Sequence, residues 1–324
     1  MTQKTMVQAL NEALRLEMQA DDRVVILGED VGKVGGVFRV TQGLWDEFGD
    51  DRVIDTPLNE GGIIGTAIGM AAYGLRPVAE IQFADFIYPA FDQIVSEAAK
   101  FRYRSGGEYT CPLVIRAPSG GGIKGGAYHS QSPEALFIHV AGLKVVCPSN
   151  PHDAKGLLAA AVKDEDPVLF FEPKRVYRAV KMEVPDERYE TPLSVGKIVR
   201  EGDHVTVVAW GAMLYEALTA AEQAAEQGIS CEVIDPRTLW PMDLELIARS
   251  VEKTGRIVVV HEAPRACGLG AEILQSVSEK KFVHLLAPPA RVTGFDTPFP
   301  YTLENEYLPL AHRILPKLVE TAKY

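Results

Sequence analysis

Residues 62–83, GIIGTAIGMAAYGLRPVAEIQF, contain the pattern that decides the fold. Gly62–Tyr73 is rich in alanine and glycine and predicts a closely packed helix, and Val78–Phe83 predicts a strand. The alternation continues outward, with apolar strand-like runs at Val24–Leu27, Leu113–Arg116, Leu143–Val146 and Val168–Phe171 and helical segments at Pro89–Tyr103 and Pro151–Val162. Strands that alternate with helices are typical of an α/β domain, in which a mainly parallel sheet is flanked by helices.

A second α/β block follows the first. The charged, proline-containing stretch Glu172–Tyr189 has no apolar period and predicts a linker. Beyond it, strands are predicted at Val205–Trp210, Cys231–Ile234, Ile257–Val260 and Ala290–Thr293, and helices at Met213–Gln227, Asp243–Glu252 and Gly268–Lys280. A length of 324 residues suits two domains, which we place at residues 1–185 and 186–324.

Composition and charge exclude several classes of protein. The formal net charge of −11 argues against a nucleic-acid partner. The longest weakly polar run, Ile63–Leu75, is interrupted by glycines and is shorter than the roughly 20 residues of a membrane span. The polar N-terminus has the form of a capping box at Thr5–Gln8 that opens an amphipathic helix, rather than a signal peptide. We therefore expect a cytoplasmic protein without a membrane partner.

The four cysteines are far apart in the sequence. Cys111, Cys147, Cys231 and Cys267 form no C-x-x-C pair, which argues against a zinc site or a redox pair and fits a reducing compartment. Since free cysteines are usually buried, we expect all four to be buried structural thiols.

Asp55–Gly62 is the first candidate site, because a strand end, a proline turn and an acid precede a helix that opens with glycine. Ligand sites in α/β sheets lie at such strand ends. For Glu60, the alternative is a simple interaction with the helix dipole, which acidic residues in the first turn supply routinely. From this segment alone, the dipole interpretation is favoured.

Glu80–Phe86 is the second candidate. Strand alternation would place Glu80, Gln82 and Ala84 on one face and Ile81 and Phe83 on the other. An exposed strand face is one explanation for this polar trio. A run between two helical segments instead favours a central strand, where buried polar groups need partners or a function.

The glycine-rich segment Ser119–Gly126 is the third candidate. Its five glycines in eight residues predict a mobile loop whose backbone can approach a ligand closely, but it matches no nucleotide-binding fingerprint. His129 follows it, and histidine is the most common general acid or base in enzymes, although a lone loop histidine is more often a surface residue. We expect His139, in apolar company, to be a core histidine, and His261-Glu262 has no spacing that identifies a metal site.

Several segments occur in an order that carries a resemblance: Gly28–Asp30, Gly35–Phe38, Asp55–Glu60, Arg76–Phe83, Arg102–Gly107, His129–Glu134, Ala154–Leu158 and Lys253–Arg256. Together they resemble the β subunits of thiamine-diphosphate-dependent 2-oxo acid dehydrogenases, the decarboxylating components of multienzyme complexes, over essentially the whole chain. The form of His129–Glu134, with Phe170–Lys174 and Gly294–Pro300, is more similar to the branched-chain (2-oxoisovalerate) type than to the pyruvate type.

The resemblance implies a transketolase-like pyrimidine-binding domain, a transketolase C-terminal domain, and an α2β2 heterotetramer with thiamine diphosphate at the α/β interfaces. It implies that Glu60 binds N1′ of the aminopyrimidine and that Glu29, Leu58, Gln82 and Phe86 line the cofactor site. Phe86 stands where relatives often have tyrosine, so a phenolic hydrogen bond is absent. His129 would protonate the lipoyl group of a partner acyltransferase during acyl transfer.

The resemblance also bears on metal ions. The chain has no Gly-Asp-Gly motif, so Mg²⁺ and the diphosphate are expected on the α subunit. Relatives suggest a structural K⁺ near Ala161, Asp164 and Asp166, although Asp166 replaces a common asparagine.

Three alternatives to a branched-chain enzyme remain open. The same machinery could act on pyruvate or acetoin. A nucleotide- or flavin-binding protein would need a phosphate fingerprint, and Glu29 and Asp30 would repel a phosphate. A purely structural subunit that docks the acyltransferase is the third possibility.

Overall fold

The computed structural model describes residues 1–324 and contains fourteen β-strands and twelve α-helices. The strands are β1 (Thr2–Thr5), β2 (Val24–Gly28), β3 (Val53–Asp55), β4 (Arg76–Glu80), β5 (Val114–Ser119), β6 (Lys144–Val146), β7 (Val168–Pro173), β8 (Lys181–Val184), β9 (Lys197–Arg200), β10 (Val205–Ala209), β11 (Cys231–Asp235), β12 (Thr238–Trp240), β13 (Ile257–His261) and β14 (Ala290–Thr293). The helices are α1 (Met6–Ala20), α2 (Leu44–Phe48), α3 (Glu60–Ala72), α4 (Phe101–Arg104), α5 (Glu134–Ile138), α6 (Pro151–Lys163), α7 (Val176–Ala179), α8 (Met213–Ala225), α9 (Leu244–Thr254), α10 (Leu269–Lys281), α11 (Glu304–Tyr307) and α12 (Ala311–Lys323). The predicted α/β class is confirmed.

The first sheet has seven strands in the order β12-β6-β7-β5-β4-β2-β3. All pairs among β2 to β7 are parallel, and β12 runs antiparallel to β6. Parallel strands end at the same edge of a sheet, where α/β proteins bind their ligands. The residues that follow β2, β3, β4, β5 and β7 therefore meet at one edge.

The second sheet has the order β14-β13-β10-β11-β9, and its pairs are parallel except that of β9 with β11. The helices α8 and α12 pack together, as do α9 and α10. Although β12 lies in the second half of the chain, it pairs with β6 of the first sheet. The second half of the chain therefore contributes one strand to the first sheet.

The capping box predicted at Thr5–Gln8 is confirmed, and α6 also begins with a side-chain cap. The Thr5 side chain accepts a hydrogen bond from the Gln8 backbone N–H, and the Gln8 side chain accepts one from the Thr5 backbone N–H. The Asn150 side chain accepts one from the Asp153 backbone N–H at the start of α6, with Pro151 in the first turn. These reciprocal bonds satisfy donors that the first helical turn leaves free, so local sequence suffices to place both helix starts.

The predicted linker at Glu172–Tyr189 is wrong over its first part. β7 continues to Pro173, and β8 pairs antiparallel with β1. Glu172 is fully buried because Arg116, on the neighbouring strand β5, donates two hydrogen bonds to its carboxylate. A charged residue that looks solvated in the sequence thus lies in the core, paired with a charge from 56 residues away.

One predicted strand is wrong in its extent, and one predicted helix is irregular in its type. The strand predicted at Val78–Phe83 ends at Glu80, and Ala84 lies in a short 3₁₀ turn. Glu80, Gln82 and Ala84 therefore do not share a strand face. Pro89–Tyr103 is not a single helix. It is a succession of 3₁₀ and π turns that ends in the one-turn helix α4.

Two predictions about single residues are corrected by the structure. Cys111, Cys147 and Cys231 are buried as expected, but Cys267 is exposed. His139 is exposed at the end of α5 and is not a core histidine. His139 follows the apolar run Ala135–Ile138, but the exposure of both residues depends on the packing of the surrounding elements. No helix has both the length and the apolar character required to cross a membrane.

Candidate active site

Glu60 begins α3 at the carboxyl edge of the first sheet. The Asn59 side chain caps the helix by accepting a hydrogen bond from the Gly62 backbone N–H, which leaves the Glu60 carboxylate free of a capping role. Glu60 is only 8% exposed, and its carboxylate takes part in no salt bridge or side-chain hydrogen bond of the chain. A nearly buried acid without a partner is costly unless a ligand or another chain satisfies it.

Glu29 and Gln82 lie beside Glu60. Burial raises the pKa of Glu29, and the nearby charges of Glu60 and Asp30 raise it further. The Gln82 side-chain amide donates a long hydrogen bond of 3.5 Å to the Glu29 carbonyl. The structure therefore brings together three of the predicted site residues, from the ends of β2 and β4 and the start of α3. Leu58, just before this helix, is 78% exposed and packs in neither core.

His129 lies in a cluster of aromatic rings. Its imidazole is 4.6 Å from the Phe83 ring and 5.3 Å from the Phe86 ring, measured between centroids, and both contacts are edge-to-face. Phe83 and Phe86 also contact each other, at 5.6 Å. Because Phe83 directly follows Gln82, the aromatic cluster lies next to the group formed by Glu29, Glu60 and Gln82. Phe86 and His129, 43 residues apart in the sequence, are thus neighbours.

The glycine-rich loop is held by carboxylates, in contrast to the mobile loop that its composition predicts. The Gly121 backbone N–H donates to Glu262 at 2.8 Å. The Gly122 and Lys124 backbone N–H groups donate to one oxygen of Glu304, at 3.0 and 3.1 Å. Glycine is required at Gly120, where φ is +77° and a Cβ atom would lie 2.6 Å from the Glu262 carboxylate.

Asp85 is a site residue that the sequence reasoning missed. Its carboxylate accepts hydrogen bonds from the Ser130 and Gln131 backbone N–H groups, both at 3.1 Å, immediately after His129. Gln131 is further held by the Tyr88 hydroxyl, which donates to its side-chain oxygen at 2.8 Å. The only signal in the sequence was an acid shortly after a strand end, which by itself specifies no partner.

The carboxyl group of Glu134 also lies near this segment. Burial raises its pKa to about 8, although hydrogen bonds from its own backbone N–H and from Trp210 oppose the shift. It is therefore mostly neutral at pH 7. His261 stacks on Trp210 with centroids 5.5 Å apart, and burial lowers its pKa to about 4. Neither group adds a full charge to the interior near neutral pH.

The predicted K⁺ segment holds cations of the chain itself. The Lys144 ammonium donates to both oxygens of Asp164, at 2.7 and 2.6 Å, and Arg102 pairs with Asp166 at 2.6 Å. Ala161, at the end of α6, accepts the Asp164 backbone N–H. These carboxylates are already satisfied, so the donor set does not fit a further cation and we assign none. No cluster of three or more His, Cys, Asp or Glu residues suits a metal ion elsewhere.

The two mainly parallel sheets, with a nearly buried acid at the carboxyl edge of the first, belong to a transketolase-like protein of two α/β domains. The sequence model of the transketolase pyrimidine binding domain matches residues 2–180, and that of the transketolase C-terminal domain matches residues 194–314. A solved structure described as a split gene transketolase, inactive β4 tetramer, superposes with a TM-score of 0.80 over 98% of both chains at 24% identity. The fold is therefore shared with that protein.

Relatives define the family more closely. The chain is 52% identical to the 2-oxoisovalerate dehydrogenase subunit β of Pseudomonas aeruginosa, over 97% of this chain and 93% of the relative. It is 49% identical to the corresponding Bacillus subtilis subunit over 98% of both chains. It is also 53% identical to the pyruvate dehydrogenase E1 component subunit β of Leifsonia xyli, over 96% and 92%. The chain belongs to this family of 2-oxo acid dehydrogenase β subunits, which depends on thiamine diphosphate.

Proposed function

We propose that this chain is the β subunit of a branched-chain 2-oxo acid dehydrogenase, which decarboxylates its substrate and passes the acyl group to the lipoyl arm of a partner acyltransferase. The observation that carries the proposal is the unpartnered, nearly buried Glu60 beside Glu29 and Gln82, continuous with the aromatic cluster around His129. The names of the relatives from Pseudomonas aeruginosa and Bacillus subtilis support the branched-chain assignment.

The residues present fit thiamine diphosphate. Glu60 offers the free carboxyl group that would hydrogen-bond N1′ of the pyrimidine, and exclusion of water strengthens such a bond. Gln82 and Glu29 would line the same end of the ring. Thiamine diphosphate, when bound, supplies the carbanion centre that decarboxylation of a 2-oxo acid requires. The protein supplies the proton at N1′ and the orientation of the ring.

Phe86 and Leu58 would provide the apolar contacts of the site. The Phe86 ring contacts His129 edge-to-face, so it would offer an apolar surface to the cofactor beside the histidine. The exposed Leu58 would be covered on assembly, because removal of an apolar side chain from water is favourable. Both roles rest on apolar contact, so the absence of a phenolic hydroxyl at Phe86 removes only one hydrogen bond.

His129 is proposed as the acid that protonates the lipoyl dithiolane during acyl transfer. Replacing His129 with alanine is expected to slow lipoyl acylation by about 10²-fold or more, because the proton donor is lost. Decarboxylation measured with an artificial electron acceptor bypasses this step and should lose far less. An equal loss in both assays would contradict the proton-transfer role and indicate that His129 positions the cofactor.

The partner α subunit is proposed to bind the diphosphate and Mg²⁺ in an α2β2 heterotetramer, since this chain has no Gly-Asp-Gly motif and no cluster of metal-binding side chains. Calorimetric titration of thiamine diphosphate with Mg²⁺ is therefore expected to give heat of binding with the co-expressed α/β assembly and none with the isolated chain. Tight binding to the isolated chain would overturn this division between the subunits.

Pyruvate is the second candidate substrate. The Leifsonia xyli relative is named for pyruvate and is as similar to this chain as the 2-oxoisovalerate relatives are, so overall identity does not discriminate between them. One methylene group in an apolar pocket changes selectivity by only about 1–3 kcal/mol. The ratio of kcat/KM for 3-methyl-2-oxobutanoate to that for pyruvate, measured on the α/β assembly, decides between the two.

A further inference from the structure

Lys174 is a buried lysine whose ammonium has no hydrogen-bond partner in the chain. It lies at the end of β7, only 4% of its surface is exposed, and its Nζ atom is unpaired. Its backbone N–H donates to the Ser119 carbonyl at 3.1 Å, which places it beside the start of the glycine-rich loop. Its Nζ atom also lies 5.6 Å from the centroid of the Phe83 ring, which in turn contacts His129.

The negative charges of three carboxylates act on this ammonium from beyond salt-bridge distance. Burial lowers the pKa of Lys174 to about 8, whereas the negative charges of Asp85, Glu262 and Glu304 raise it and so limit the shift. These carboxylates come from three separate parts of the fold. Asp85 follows β4, Glu262 follows β13, and Glu304 begins α11. None of the three forms a salt bridge; Arg175 also acts on Glu262, whereas the positive charge of Lys174 acts together with all three.

The same three carboxylates hold the backbone on both sides of His129. Glu262 and Glu304 accept the N–H groups of Gly121, Gly122 and Lys124, which precede the histidine. Asp85 accepts those of Ser130 and Gln131, which follow it. A carboxylate accepts such bonds most strongly when it is ionised, and ionised buried carboxylates need a neighbouring cation.

We propose that Lys174 is a positioning residue for His129: its buried ammonium is the shared counter-ion of Asp85, Glu262 and Glu304, and so keeps the segment 120–131 in place across the two halves of the chain. The inference rests on the proposed role of His129 in acyl transfer. Loss of the ammonium removes the positive charge that is common to the three carboxylates, which favours their protonation or movement and weakens their hydrogen bonds to the backbone N–H groups.

The first test is amide hydrogen exchange of the α/β assembly, followed by mass spectrometry. Lys174→Met is expected to raise exchange in peptides that cover residues 120–131 several-fold over the wild type. Lys181→Met, which removes an exposed lysine a few residues further along, should leave these peptides unchanged. Lys174→Arg keeps the charge and should restore most of the protection. Unchanged exchange in Lys174→Met overturns the proposal.

The second test separates charge balance from packing. Lys174→Met is expected to lower the ratio of lipoyl acylation to decarboxylation with an artificial acceptor, and adding Glu304→Gln should recover part of that ratio because it removes one excess negative charge. A purely structural defect would lower both rates together and would not be relieved by Glu304→Gln, and this result overturns the proposal. If His129→Ala leaves the ratio unchanged, the proposed role of His129 fails. If His129→Ala lowers the ratio and Lys174→Met does not, only the proposed role of Lys174 fails.

Discussion

Replacing Glu60 with glutamine is expected to lower the rate of 2-oxo acid decarboxylation by the α/β assembly by about 10²-fold to 10⁴-fold. Glutamine matches the size of glutamate and can be tolerated at a helix start, but it cannot transfer a proton at N1′ of the pyrimidine. The Asn59 side chain caps α3 independently of Glu60, so the helix should still form. The measurement is decarboxylation with an artificial electron acceptor at saturating thiamine diphosphate.

A matched control separates this role from the helix dipole. Asp46 is an exposed acid in the first turn of α2, and Asp46→Asn removes the same kind of dipole interaction away from the site. We expect this variant to keep its activity. Full activity in Glu60→Gln would contradict the catalytic role and would favour the alternative in which this chain only docks the acyltransferase.

Replacing Arg116 with methionine is expected to reduce the free energy of unfolding by about 3–5 kcal/mol, because it leaves the buried carboxylates of Glu172 and Glu80 without a positively charged partner. Arg116 is fully buried between Glu172, which it contacts at 2.7 and 2.9 Å, and Glu80, at 2.7 Å. Burial disfavours the charged guanidinium, but the charges of Glu172 and Glu80 more than offset this and raise the pKa of Arg116. The Tyr177 hydroxyl completes the network by donating to Glu172.

Urea unfolding followed by circular dichroism measures this loss. The control is Arg23→Met, since Arg23 is paired with Asp21 at 2.8 Å on the surface, where an ion pair contributes little. We expect Arg23→Met to unfold near the wild-type midpoint and Arg116→Met well below it. Equal midpoints for the two variants would show that the buried network is not needed for stability.

The local pattern of the chain was enough to predict most of the elements. The alanine- and glycine-rich run of α3 and the short apolar run of β10 can each be recognised without knowledge of their neighbours. The start of α6 could also be predicted from the local sequence, because Asn150 and Pro151 specify a helix start on their own. Glu60, His129, Gln82 and Phe86 were also singled out before the structure, from strand ends and from the resemblance to a known family.

The remaining features depend on distant partners. Glu172 was assigned to a linker because its charge suggested solvent, and only Arg116, 56 residues earlier, explains its burial. Cys267 was expected in the core because free cysteines are usually buried, and His139 because its neighbours are apolar, whereas the packing of the whole chain leaves both exposed. Exposure of a single side chain depends on what the fold places over it, which a local window does not contain.

The sequence by itself determined the α/β alternation, the two blocks and the candidate acid Glu60, because periodicity, turn residues and strand ends are local properties. Only the tertiary structure decided how His129 is held. Asp85 and Glu304 bind backbone N–H groups that lie 45 and 182 residues away in the chain. Hydrogen bonds and charge balance between such distant segments arise from the arrangement of the sheets, and they leave no pattern in the sequence of either segment.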